Sequence, residues 1–495
     1  MISRFRASLL PWTLLLCACG GAGDDGTTDA ATTNAATTDA TDATTADATA
    51  STSDATATTS DATTAGPTAT DPSTTAPATD TDETDTDPTT GEPLGCQGGV
   101  VGVTCEDRYE NVDFGWQQVE RWHDPHPAIP QMEFPPDGRG DVGGQRLVFF
   151  DNLVHPPSGS FLLYYGPGWD QGDATPVLLV HGANDSPDRA WANPNESGAY
   201  GCGDEVCPDT GLLQALVGAG HRVFAIGFGH RQGDNLTAAR LVHDALRVVQ
   251  DRTGADKVDV IGWSMGAFSA RLYASGLARD QPYADDIRRL LLIGGPNLGF
   301  DYLFRYGINH DLFIFPECTD PLMVAPINAP APHTATTCFG VLYDHPELSV
   351  FETQAGDFYP GQKQMLARWD DVYAIPELNQ DWYTTYHGGK GFVSSGLGID
   401  VAINQGSLVA GMIEAGIPAS VSTYLLCGDT QDKQENAIPV IPNETSGPSD
   451  GVVFIDSCAA PDGVGTLADE ALIARNHLEL GWHPDAVAVL LGWLL

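Results

Sequence analysis

Basic residues are scarce in this chain. Only 23 Lys and Arg stand against 66 Asp and Glu, a formal net charge of −43. Nucleic acid and anionic membrane surfaces are therefore poor partners, because both are recognised through positive faces. Apolar runs long enough to span a bilayer are lacking at the start, where residues 9–16 form only a short stretch. No cysteine shows metal-ligand spacing with a histidine, which argues against a zinc site. Residues 20–95 have no apolar periodicity at all and consist almost wholly of Thr, Ala, Asp, Ser, Pro and Gly. Such a segment has nothing to offset the entropy of ordering it, so it reads as a disordered tether.

What is present at the start is a targeting pattern over residues 1–19. Arg4 and Arg6 precede the apolar residues 9–16, and Leu16-Cys17-Ala18-Cys19 resembles a bacterial lipobox followed by Gly20 and Gly21. The expectation is export, with Cys19 lipidated and the protein held at the cell surface or outer membrane; plain secretion is the alternative. The membrane is then engaged only through a lipid anchor at Cys19. Fifteen acidic residues between Asp24 and Glu92 would extend the tether by self-repulsion. Beyond it, 51 acidic residues face 21 basic ones, so the folded part carries about −30 of its own. An acidic coat of this kind favours solubility.

Eight cysteines follow Cys19, an even number in a chain expected to be exported. They fall as neighbours: Cys96 and Cys105, Cys202 and Cys207, Cys318 and Cys338, Cys427 and Cys458. Four local disulfides are expected, although spacing alone does not fix connectivity.

The most informative stretch is residues 256–279. A β-branched run, residues 258–261, meets Gly262-Trp263-Ser264-Met265-Gly266, and a helical pattern begins at once. Strand, sharp turn and helix are the context of a nucleophile elbow, in which the serine hydroxyl stands above a sheet edge. Side chains at the flanking glycines would collide with the adjoining strand and helix.

From residue 146 onward, apolar runs alternate with helical patterns. Strands are expected at 146–150, 161–165, 176–180, 222–227, 258–261, 290–293, 420–426 and 452–455. Helices are expected at 211–217, around Ala239, Val242, Leu246 and Val249, after Ser264, and at 485–494. Near-continuous apolar strands alternating with helices imply an α/β fold: a mostly parallel central sheet with helices on both faces. We divide the chain into the targeting segment, the tether, an N-terminal extension at 96–145 and a catalytic domain at 146–495. That domain carries a large cap insertion at about 300–418. Residues 301–395 hold 16 of the 42 aromatics, which suits either an apolar-faced cap or the insertion's own core.

A serine hydroxyl needs an imidazole within hydrogen-bond reach, oriented in turn by a carboxylate. Of the histidines after Ser264, only His477 and His483 follow the last strand candidate. His483 precedes Pro484 and reads as a helix-start residue. For the acid, Asp450 competes with Asp429 and Asp432.

Five segments together resemble the bacterial true lipases of the α/β-hydrolase fold. They are Val180-His181-Gly182, Gly262-Trp263-Ser264-Met265-Gly266, Gly295-Pro296-Asn297-Leu298-Gly299, Ser449-Asp450-Gly451-Val452-Val453 and Asn476-His477-Leu478. The likeness runs over residues 177–299 and 447–480 and implies Ser264 as nucleophile, Asp450 as acid and His477 as base. It also implies an oxyanion hole of the Ala183 and Met265 amides, with His181 shaping that loop. Trp263 stands where the family usually has His, and Gly295-Pro296-Asn297 replaces its T-P-H. A cysteine after the acid also recurs in that family, which suits a Cys427–Cys458 bridge around Asp450. Some of those lipases hold a structural Ca²⁺, for which Glu479, Asp429 and Asp432 are the candidate ligands; no organic cofactor is implied. A dedicated foldase is a further partner that the likeness leaves open.

The reading is an exported serine hydrolase that cleaves carboxylic esters, a lipase or carboxylesterase acting on acylglycerol or lipid-like esters through an acyl-enzyme. The alternatives are a polyester depolymerase or acyltransferase on the same fold, or a catalytically silent surface-binding module.

Overall fold

The computed structural model describes residues 93–495, apart from 97, 135–143, 197–201, 203–205, 306–349, 353–355, 376–385, 391–394 and 431–443. The targeting segment with Cys19, residues 20–92 of the tether, Cys318, Cys338 and Asp432 lie outside the described residues.

A nine-stranded sheet organises the described chain. Its strands are β1 (Thr104–Glu110), β2 (Gln118–His123), β3 (Ser160–Tyr165), β4 (Val177–Val180), β5 (Val223–Phe228), β6 (Val258–Trp263), β7 (Ile287–Ile293), β8 (Ser422–Gly428) and β9 (Leu467–Ile473). Their order in space is β1-β2-β3-β5-β4-β6-β7-β8-β9. The first three contacts, β1 to β2, β2 to β3 and β3 to β5, are antiparallel, and every later one is parallel.

Period-two alternation sorts the side chains into two cores. Leu178 and Val180 of β4 join one cluster, while Val177 and Leu179 join the other. The first is covered by α3 (Asn235–Thr253) and α4 (Met265–Ala274), the second by α2 (Leu212–Gly218) and α6 (Pro484–Leu494). Burial on both faces is why these strands read as continuous apolar runs. Helix α3 is capped at both ends. Asp234 accepts from the Thr237 amide at 2.7 Å, and Gly254 takes the left-handed conformation at φ 68°.

Several expectations need correction. Residues 146–150 are not a strand: Gly144–Phe149 is a short helix, α1. Its buried Arg146 donates to the Phe228 and Gly229 carbonyls at 2.8 and 3.2 Å, at the end of β5. A short apolar run is compatible with either form, and here the guanidinium's demand for carbonyls selects the helix. Residues 452–455 are not a strand either. They form a tight turn closed by a Ser449–Phe454 bridge, and lead into a one-turn helix at Ile455–Cys458. The last strand is instead β9, which sits at the sheet edge and is largely exposed, with Asp469 and Glu470 interrupting its apolar residues. The 96–145 extension supplies β1 and β2 and so continues the sheet.

Three of the four expected disulfides are formed: Cys96–Cys105, Cys202–Cys207 and Cys427–Cys458. The last joins residues 31 apart at a Cα separation of 5.9 Å. Closing a loop of that length stabilises the fold by about 3–4 kcal/mol through the unfolded state. Replacing both Cys427 and Cys458 by alanine should cost about that much, measured as a lower midpoint in urea.

Of the insertion, residues 300–305, with α5 (Tyr302–Arg305), and residues 350–352, 356–375, 386–390 and 395–418 are described. Phe304, Phe351, Phe358 and Tyr359 are core residues, whereas Phe300 and Tyr302 also line the cleft beside Ser264.

Candidate active site

Ser264 ends β6 and begins α4 with φ 56° and ψ −122°, a conformation that costs a non-glycine residue of order 1–3 kcal/mol. The neighbouring glycines make this turn possible. A Cβ on Gly266 would lie 2.3 Å from the Val180 carbonyl oxygen and 2.4 Å from that of His181. One on Gly262 would lie 2.7 Å from the Ala267 Cα. The elbow expected from the sequence is therefore present, with its serine half-buried at the sheet's parallel end.

His477 lies in the loop between β9 and α6. Its Nε2 is 2.9 Å from Ser264 Oγ, and its Nδ1 is 2.7 Å from Asp450 Oδ2. The other Asp450 oxygen accepts from the Val452 and Val453 amides at 3.0 and 2.8 Å. Those are the amides a strand at 452–455 would have needed for its ladder, which explains the turn found there. The His477 amide donates to the Asp450 carbonyl at 2.8 Å. Of the two candidate acids among the described residues, Asp450 is the one that meets His477. Asp429 stands just past β8, and its own amide donates to the Ile473 carbonyl. His483 caps α6, accepting from the Asp485 amide at 3.1 Å, as its place before Pro484 suggested.

His181 is fully buried and uses both ring nitrogens on backbone: Nδ1 donates to the Gly182 carbonyl at 2.8 Å and Nε2 accepts from the Phe228 amide at 3.4 Å. Burial pulls it down to about 4, so it is neutral near pH 7 and has no nitrogen left for Ser264. Gly182 packs against the elbow so closely that a Cβ would lie 3.0 Å from Ser264 Cβ. Among the described residues, neither the Ala183 nor the Met265 amide donates to a protein group. Both residues flank the serine, with Met265 opening α4 at its positive end.

Trp263 stands one residue before the serine, at the end of β6. Its indole Nε1 donates to the His477 carbonyl at 3.1 Å, and its ring lies 6.1 Å from the imidazole. Behind it are Trp191 at 5.9 Å and the Arg189 guanidinium at 5.6 Å, both from the π-helical turn Asp188–Ala192. Arg189 pairs with Asp185, and both line the cleft with Asn184 and Gln362. The cleft is also lined by the apolar residues Pro296, Phe300, Leu303, Met365 and Val452, around a cavity of about 110 Å³. The sequence offered one signal for Trp263, since a residue ending β6 beside the elbow must face one of the two cores.

Asp188 opens the same turn fully buried, and burial pushes its carboxyl up to about 7. Below the ordinary carboxylate range both states are protonated. From about pH 4 to 7 the unfolded chain releases a proton that the folded chain keeps, so stability falls with rising pH and then levels off. Asp188→Asn should therefore gain on the parent above pH 7, by on the order of a few kcal/mol, with the gain vanishing toward pH 4. Urea unfolding across that range would measure it.

Glu479 is committed to the base loop. Its Oε2 accepts from the Asn476 amide at 2.9 Å, while Asn476 Oδ1 accepts from the Leu478 and Glu479 amides. Among the described residues no group of three or more His, Cys, Asp or Glu is gathered for a metal, and Asp432 is not among them. Among the described residues no helix is long and apolar enough to cross a membrane.

The sequence profile of the alpha/beta hydrolase family matches residues 177–488. No curated protein matches the chain. Among solved structures it is similar to a Bacillus licheniformis lipase in its mature form, at 12% identity over 66% of this chain and 93% of that one, TM-score 0.35. A naproxen esterase from Bacillus subtilis matches at 13% identity, 68% and 87% coverage and TM-score 0.31. An epoxide hydrolase from Vigna radiata matches at 12% identity, 68% and 92% coverage and TM-score 0.31. With a profile match over more than half its length, laid on a mostly parallel sheet with an elbow after β6, the chain belongs to the α/β-hydrolase family.

Proposed function

We propose that the protein is a serine hydrolase of carboxylic esters, with Ser264 as nucleophile, His477 as base and Asp450 as its orienting acid. The observation that carries this reading is the unbroken chain of contacts from Ser264 Oγ through His477 to Asp450, at 2.9 and 2.7 Å. In this reaction Ser264 Oγ attacks the ester carbonyl carbon while His477 Nε2 takes its proton. The oxyanion is stabilised by the Ala183 and Met265 amides, which are uncommitted and preorganised. Collapse breaks the bond to the alcohol oxygen, and His477 returns the proton to the departing alcohol. Water, deprotonated by His477, then releases the acid from the acyl-enzyme. Asp450 accepts the His477 Nδ1–H and stabilises the imidazolium.

Lipid-like esters are the substrate class we favour, because Pro296, Phe300, Leu303, Met365 and Val452 line the cleft together with only a few polar side chains, Asn184, Asp185, Arg189 and Gln362 among them. Export and anchoring through Cys19 rest on the sequence of residues 1–21. The test compares a short soluble ester with a long-chain triacylglycerol emulsion, using the full chain, and follows labelling by a fluorophosphonate. Preference for the emulsion supports a lipase; activity confined to the short ester moves the class to esterase. Labelling with neither activity points to another acyl substrate or an acyltransferase. A folded protein that is neither labelled nor active is a silent module.

A further inference from the structure

Arg305 closes α5 at the root of the insertion, and its side chain is 1% exposed. It forms a two-point pair with Asp301, Nη2 to Oδ2 at 2.7 Å and Nε to Oδ1 at 3.2 Å. Its Nε also lies 3.3 Å from Glu444 Oε2, and both carboxylates are completely buried. One guanidinium thus joins two acids from segments about 140 residues apart in the chain.

Each acid belongs to a different structure. Asp301 is fixed by the insertion: the Tyr386 hydroxyl donates to its Oδ2 at 2.7 Å and the Trp369 amide to the same oxygen at 3.2 Å. Glu444 belongs to the loop that bears Asp450. Its amide donates to the Gly451 carbonyl at 2.9 Å, and its carbonyl accepts from the Ser449 hydroxyl at 2.6 Å. The Arg305 guanidinium also lies 5.3 Å from the Phe454 ring, which follows the two amides that hold the Asp450 carboxylate. Phe454 in turn meets Tyr373 of the insertion at 4.4 Å.

We propose that Arg305 and Glu444 are positioning residues that transmit the insertion's packing to Asp450, so the insertion holds the catalytic acid in place as well as walling the cleft. The inference rests on Asp450 acting as the acid of the proposed triad. A buried ion pair contributes little net stability compared with an apolar replacement, but it fixes geometry strictly because either partner alone is costly. An acid displaced by a fraction of an ångström orients the imidazole poorly, and misplacement of about 1 Å can cost on the order of a hundredfold in rate.

The experiment uses full-length Glu444→Gln, which keeps shape and removes the charge. The readouts are kcat and KM on a soluble short ester, the acidic limb of the kcat profile, and the proton resonance of the His477 Nδ1–H facing Asp450. Expected are a fall in kcat of about tenfold or more with KM within about twofold. The acidic limb should move to lower pH, because a displaced carboxylate supports the imidazolium less, and the His477 resonance should move upfield. Unchanged kcat, profile and resonance in a folded protein would overturn the proposal, as would a lower melting temperature as the sole effect. If Glu444→Gln does not fold, Tyr386→Phe removes the hydroxyl from Asp301 and should shift the same readouts in the same direction by a smaller amount; no shift overturns the proposal. If the parent enzyme shows no Ser264-dependent hydrolysis, the functional reading fails, and the His477 resonance still decides whether the clamp sets the Asp450 contact.

Discussion

Replacing Ser264 by alanine is expected to lower kcat for ester hydrolysis by about 10⁶-fold, while the melting temperature stays within about a degree or two. The asymmetry follows from the geometry. Alanine keeps the Cβ that packs against Gly182 and accepts the same strained φ of 56°, so no core contact is lost. Only Oγ is removed, and with it the acyl-enzyme and the partner of His477 Nε2. Fluorophosphonate labelling should disappear together with turnover. Ser264→Gly sharpens the test. Glycine relieves the positive φ, so this variant should be equally inactive yet more stable than the parent by about 1 kcal/mol, after the greater entropy of its unfolded chain is set against the strain released. A serine at which activity and strain are both lost has been held in place against its own backbone preference. Retained hydrolysis in either variant would mean that another group is the nucleophile.

Asp450→Asn is expected to lower kcat by about 10³–10⁴-fold with a much smaller change in KM. The amide fills the same space, and its oxygen can still accept from the Val452 and Val453 amides. What remains to face His477 Nδ1 is then an NH₂ donor, which forces the imidazole to turn its lone pair toward the new carboxamide and its proton toward Ser264. That tautomer cannot take the serine's proton. Asp429→Asn serves as the control, because His477 Nδ1 is already taken by Asp450. It should retain activity within a few-fold. The pair of variants, compared by steady-state kinetics on one soluble ester, decides between two carboxylates that the sequence left in competition. Loss of activity in Asp429→Asn with retention in Asp450→Asn would reverse the assignment.

The parts of the fold that were legible in sequence are those whose burial is complete. Strands β4, β5, β6 and β7 are covered on both faces, so their runs are apolar and short, and α3 announces itself by the period of its apolar residues. The elbow was legible because its constraint is steric and local: Gly262 and Gly266 are needed within four residues of one another. What escaped was decided by partners far away in the chain. Arg146 makes a helix of an apolar run because two carbonyls at the end of β5 require a donor. The Asp450 carboxylate takes two amides and so abolishes a strand that hydrophobicity suggested. Strand β9, paired on one side only and largely exposed, has Asp469 and Glu470 at its centre, which break the continuous apolar run that marks the buried strands. Likewise the indole of Trp263 could be seen as a departure from the lipases but not as a donor to the His477 carbonyl, which comes from 214 residues away.

The position of β9 also bears on when the enzyme comes to exist. Ser264 and its imidazole partner are 213 residues apart, and His477 follows the outermost strand, which has only β8 to pair with. During synthesis the elbow can form while the chain beyond it is still being made, but its base cannot arrive until β8 has docked on β7 and β9 on β8. Contacts of such high sequence separation close late, because the entropy of the intervening loop must be overcome first. With the proposed triad, the chain is thus inert until its last edge is in place, so the appearance of Ser264-dependent activity would be a clock for the final step of assembly.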